Sequence, residues 1–92
     1  MKEKCLCCGY KTLPKKVEEC IAFICPICFW ENDVFMRDMY DIKEESDSNR
    51  SMTLEQARTN YKKYGACDKE FINKVRKPSK DEFDDLSNEK EE

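Results

Sequence analysis

Two Cys-x-x-Cys pairs, Cys5/Cys8 and Cys25/Cys28, lie sixteen residues apart in this chain. No other feature restricts its folding as tightly. C-x₂-C-x₁₆-C-x₂-C is the spacing of a tetrathiolate metal site, in which each pair makes a turn that points two sulfurs at one ion. The chain has 92 residues, 40% of them charged, and seven of its hydrophobic residues are cysteines. A core that thin commonly needs a metal staple. The expected cofactor is a structural Zn²⁺ on Cys5, Cys8, Cys25 and Cys28. There is no histidine, so Cys₄ is the only plausible zinc set, and four thiolates leave no coordination position for a substrate.

The other three thiols read as spectators. Cys7 breaks the x₂ spacing within Cys5-Leu6-Cys7-Cys8, and Cys20 and Cys67 have no partner at ligand spacing. They suit small buried apolar positions. Seven is an odd number, which argues against a closed disulfide framework. No secretory h-region and no run of eighteen apolar residues is present, so the expected setting is the cytoplasm, without a membrane partner, where thiols stay reduced.

Charge is uneven. Residues 1–78 hold fifteen Lys/Arg against thirteen Asp/Glu, whereas residues 79–92 hold two against seven. The expected organisation is therefore one domain over 1–78 and a flexible acidic tail over 79–92. Neither part has the strongly basic balance of a nucleic-acid binder.

Local signals sketch the elements. Residues 1–33 read as a short β-hairpin head with one cysteine pair at each end, its β-prone piece being Glu19–Ile24. Gly9 follows Cys8 where a knuckle needs positive φ. Phe29 stands at the matching place after Cys28, so the second knuckle is expected to be less regular. Residues 34–42 fit a strand or a short helix, and residues 43–51 a loop. A helix is expected from Thr53, whose hydroxyl and Gln56 form a capping box, to Gly65, which supplies the left-handed closing residue. Leu54, Ala57, Tyr61 and Tyr64 share one face of it. A second short helix follows, capped by Asp68 and stopped by Pro78. The fold class is small α+β: a metal-stapled, zinc-ribbon-like hairpin head, two short helices and the tail.

Four strings, C-L-C-C-G-Y, I-C-P-I-C-F-W-E, T-L-E-Q-A-R-T-N-Y-K-K-Y-G-A and V-R-K-P, occur in this order over most of residues 5–78. In these the chain resembles the bacterial cysteine-rich CPCC family. Leu6 departs from the proline that the family name leads one to expect. The resemblance implies a small cytoplasmic bacterial protein with a metal knuckle. By analogy with small cysteine-knuckle proteins of toxin loci, it also suggests an immunity role. The third and fourth strings aside, C-L-C-C-G-Y with C-P-I-C also looks like the paired loops of a rubredoxin, which makes iron, and electron transfer, the rival to zinc.

Three classes of function follow. The leading one is a non-enzymatic protein-interaction module, since no histidine, phosphate-binding loop or serine elbow is present. Its aromatic contact candidates are Tyr10, Phe29, Trp30, Tyr61 and Tyr64, with core packing the competing and stronger expectation for Phe29, Trp30 and Tyr61 because a thin core needs its aromatics. Its sharper form is an immunity or inhibitor protein whose Glu44, Glu45 and Asp47 meet a basic toxin groove. Asp81, Glu82, Asp84 and Asp85 are further acidic candidates in the tail. The second is a nucleic-acid-binding ribbon using Lys62, Lys63, Lys69, Lys74, Arg76 and Lys77. The third is thiol chemistry at Cys7, which has no histidine to activate it.

Overall fold

The computed structural model describes residues 2–36 and 42–83. Two short antiparallel hairpins, one α-helix and a set of 3₁₀ turns surround a cluster of four cysteines. Strands β1 (Glu3–Lys4) and β2 (Lys11–Leu13) pair antiparallel, and the first Cys-x-x-Cys occupies the turn between them. The second pair sits in a smaller turn closed by a bridge between Ile24 and Glu31. Each cysteine pair thus has a turn of its own, and among the described residues no single hairpin carries both. Residues 17–19 are a 3₁₀ turn, and Ala22 takes a left-handed φ of 58°, so Glu19–Ile24 does not extend into a strand.

Residues 43–51 hold more structure than the expected loop. Strand β3 (Glu45–Ser46) pairs antiparallel with β4 (Met52–Thr53), with a 3₁₀ turn at Asp47–Asn49 between them. Buried polar groups organise this hairpin. Asn49 accepts from the N–H of Glu31 at 2.8 Å and donates back to its carbonyl at 2.9 Å. Ser46 Oγ donates to Asp33 Oδ2 at 2.8 Å. Side chains such as these give turn-rich sequence a defined path when the chain they satisfy is distant. Of the 34–42 segment, residues 34–36 form a turn and residues 37–41 lie outside the described residues.

Helix α1 (Leu54–Tyr64) has the boundaries its capping residues dictate. Thr53 Oγ1 accepts from the Gln56 N–H, and Gln56 Oε1 accepts from the Thr53 N–H, both at 3.0 Å. Gly65 closes the helix at φ 81°. Leu54 and Ala57 are fully buried, facing the cysteine cluster together with Trp30, Ile27 and Met36. The second helix is a 3₁₀ segment, Lys69–Lys74, capped by Asp68 and ending before extended backbone at Val75.

The described residues continue past residue 78 to residue 83. Ser79 caps a 3₁₀ turn, Lys80–Glu82, which packs against β2. Glu82 is buried, taking both guanidinium nitrogens of Arg76 at 2.7 and 2.9 Å, and Phe83 stacks edge-on to Tyr10 at 5.4 Å. An acidic residue enters the interior here because a bidentate arginine and the Ser79 N–H satisfy it. Residues 84–92 of the acidic tail lie outside the described residues. Among the described residues, no helix is long and apolar enough to cross a membrane.

Candidate metal centre

The two cysteine turns have the same backbone. The Cys5 N–H donates to Tyr10 O at 2.9 Å, and the Cys25 N–H to Trp30 O at 3.0 Å. The Gly9 N–H donates to Cys5 O at 2.9 Å, and the Phe29 N–H to Cys25 O at 2.8 Å. Gly9 has φ 82° and Phe29 φ 71°. The second knuckle is therefore as regular as the first, and Phe29 accepts a left-handed backbone to make it so. The ring compensates by packing against Phe71, with centroids 4.5 Å apart.

Facing one another, the turns bring Cys5, Cys8, Cys25 and Cys28 together, with all four Sγ atoms within 4.8 Å. Cys5 and Cys28 are 3.6 Å apart, and Cys8 and Cys25 3.7 Å. A tetrahedron with metal–sulfur bonds of about 2.3 Å has edges of about 3.8 Å. The sulfurs are thus spaced for one tetrahedral ion, and the donor set suits zinc or iron. Cys25 and Cys28 are inaccessible to solvent, Cys5 is buried and Cys8 half-buried.

The surroundings favour thiolate at Cys25. Cys25 Sγ lies 3.2 Å from Thr12 Oγ1 and accepts from the Ile27 N–H at 3.4 Å. Its thiol is held far below the ordinary range, chiefly by the hydrogen bond from Cys28 and then by those from Cys5 and Cys8. Cys28 and Cys8 are pushed up, each first by its hydrogen bond with Cys25. A bound cation would take the place of these hydrogen bonds at the Cys25 sulfur. Hydroxyl and amide donors on a ligand sulfur spread its charge and fix its direction.

Distant chain holds both turns from outside. Arg58 Nε of α1 donates to Leu6 O at 2.8 Å. The Cys67 N–H donates to Cys28 O at 2.7 Å, and the Arg76 N–H to Pro26 O at 3.1 Å. Asn60 Nδ2 fixes Cys67 O at 2.9 Å. Thr12, Arg58 and Asn60 are parts of the site that spacing rules do not reach. The only local hint was Thr12's place on the strand leaving the first knuckle.

The remaining candidates fall into place as follows. Cys7, Cys20 and Cys67 are buried outside the four-sulfur set, Cys20 Sγ donating to Lys15 O at 3.2 Å. Burial pushes the Cys67 thiol up to about 12, which makes it a poor nucleophile. Trp30 is 1% exposed, so its expected role as a partner contact is corrected: it fills the core beside the metal ligands. Tyr10, Phe29, Tyr61 and Tyr64 are half-buried, and Tyr10 stacks edge-on to Tyr61 at 6.4 Å. Glu44, Glu45 and Asp47 are exposed on the β3 hairpin. Of the basic set, Arg76 is engaged by Glu82, while the lysines at 62, 63, 69, 74 and 77 are exposed.

A family described as cysteine-rich CPCC matches residues 3–82. No curated protein and no solved structure matches the chain.

Proposed function

The chain belongs to the cysteine-rich CPCC family, and on that premise we propose that it is a non-enzymatic protein-interaction module whose fold is stapled by one structural zinc ion. The observation that carries the reading is the closure of the centre. Four sulfurs at tetrahedral spacing, three of them buried, use every position of a four-coordinate ion. A metal so enclosed supplies folding free energy, of the order of 10 kcal/mol in small zinc domains, and offers nothing to a substrate. What remains to act is the surface that the metal holds in shape.

The sharper form of this reading is an inhibitor or immunity protein for a basic partner such as a toxin. The exposed acids on the β3 hairpin support it: Glu44, Glu45 and Asp47 project from an element pinned by Asn49 and Ser46. Rigid acidic groups steer and orient a basic surface with little ordering penalty. The test is to isolate the partner by affinity capture of the metal-loaded protein from its native host, at low and at high salt. A single stoichiometric protein partner, released by salt, is the expected result. Recovery of nucleic acid in place of protein would overturn the reading.

A further inference from the structure

Beside the second knuckle lies a cleft of about 180 Å³. Ile24, Phe29, Met52 and Phe71 give it apolar walls, and Glu31, Asn49 and Arg50 are among its polar lining. A space of about 150 Å³ is enough to accept a benzene ring, so one large side chain fits. Ile24 stands 43% exposed at its edge. The cleft runs over Arg50 and Met52 into an open trough of about 580 Å³ along the outer face of α1, where Glu55, Thr59 and Asp68 line it.

Three further observations point to a ligand. Arg50 lines the cleft with left-handed backbone at φ 56°, and Ser51 follows at 65°. Such φ values are uncommon outside glycine and concentrate where a binding surface must be held in an unusual shape. The charge lining the groove is mostly acidic. Glu31, Glu55 and Asp68 line it, and Asp47 adjoins its wall at Ser48. The basic lining residue, Arg50, binds Asp68 at 3.0 Å and Glu70 at 2.9 Å and lies 4.8 Å over the Phe71 ring, so the acidic excess that faces a partner rests on Glu31 and Glu55.

We infer that this groove docks a basic segment of a partner protein, seating one large apolar side chain in the cleft while its Lys or Arg residues meet the acidic rim and trough. An apolar anchor in a pocket with oppositely charged surroundings is the common arrangement of a peptide site. The inference rests on the interaction-module reading and gives that module's partner a chemistry.

The experiment titrates the metal-loaded, ¹⁵N-labelled full chain with end-blocked pentapeptides Lys-Lys-X-Lys-Lys, where X is Ala, Leu, Phe or Trp, and with the Glu-Glu-X-Glu-Glu counterparts. Lysine peptides with a large X are expected to shift the amides of Ile24, Phe29, Met52 and Phe71, to bind roughly tenfold tighter than the Ala peptide, and to weaken as salt rises. Ile24→Ser is expected to remove that tenfold preference. Ile21→Ser, at a residue 82% exposed and outside the cleft, is expected to leave it intact, with equal metal content in both variants. No shift dependent on X at millimolar peptide, equal binding by the Glu series, or equal loss in the two variants would overturn the inference. So would cleft shifts that depend on protein concentration without peptide, which would mark contact with a second copy. A native partner cross-linked to another face would remove the groove and leave the module reading standing.

Discussion

Phe29 holds at φ 71° the left-handed backbone that Gly9 holds at 82°. The two residues close equivalent turns, and only one of them is suited to the conformation. Replacing Phe29 by Gly relieves strain of about 1–2 kcal/mol. It also costs about 0.5–1 kcal/mol of chain entropy, and it removes a half-buried ring at the low end of the ~1.5–3 kcal/mol of a full burial. Phe29→Gly is therefore expected to be a net loss of about 1 kcal/mol. Gly9→Ala meets no atom within 4 Å, so its expected loss of about 1–2 kcal/mol is backbone strain alone. Denaturant unfolding of the metal-loaded proteins checks both, and a stabilised Phe29→Gly would show that the ring contact with Phe71 contributes nothing.

One metal per chain is expected by elemental analysis, with four thiols protected from titration in the native protein by the ion. Chelation should unfold the domain, because the small core is built around the four sulfurs. Trp30 reports on this directly: it is the single tryptophan and is 1% exposed beside the ligands. Its emission is expected to move to the red on chelation and to return when Zn²⁺ is restored. An unchanged spectrum in metal-free protein would mean that the core stands without the staple.

Thr12 is expected to tune the site without ligating. Thr12→Val keeps the shape of the buried side chain and removes the hydroxyl 3.2 Å from Cys25 Sγ. Outer partners of metal ligands are typically worth about 10–100-fold in affinity, so a loss of roughly tenfold is expected in a chelator competition, with stoichiometry unchanged. Cys25→Ser, by contrast, is expected to abolish tight binding.

Acid should find Glu82 late. Arg76 holds its carboxyl down from 4.5 to about 2, with the Ser79 N–H helping. The folded chain then binds fewer protons than the unfolded chain between those values. The stability this contributes is full above about 4.5 and is lost as pH falls through about 2. In a ¹³C titration of the folded protein, the Glu82 carboxyl is expected to stay ionised at pH 4, where glutamates of an unfolded chain, with pKa about 4.3, are largely protonated. Glu82→Gln should lower stability at pH 7 and close the gap to the parent as acid is added. A Glu82 midpoint near 4.5 would mean the Arg76 pair is not formed in solution.

The sequence by itself determined the features whose causes lie within a few residues. A Cys-x-x-Cys turn, the Thr53–Gln56 capping box and the Gly65 stop are each complete within one helical turn or less, so spacing alone specified them. It also paired the right turns, because Cys5, Cys8, Cys25 and Cys28 share one ligand geometry. Tertiary structure decided the rest. Phe29 takes the left-handed position in a regular knuckle, where its ring packs against Phe71, a residue distant in sequence. Residues 45–53 form a hairpin because Asn49 pairs with the backbone of Glu31 eighteen positions away. Glu82 is buried, although Asp81, Asp84 and Asp85 lie close to it in sequence, because Arg76 and β2 are there to receive it. Trp30 is core and Ile24 is surface for the same reason: once the four sulfurs fix how the turns face each other, burial follows from what that fold encloses.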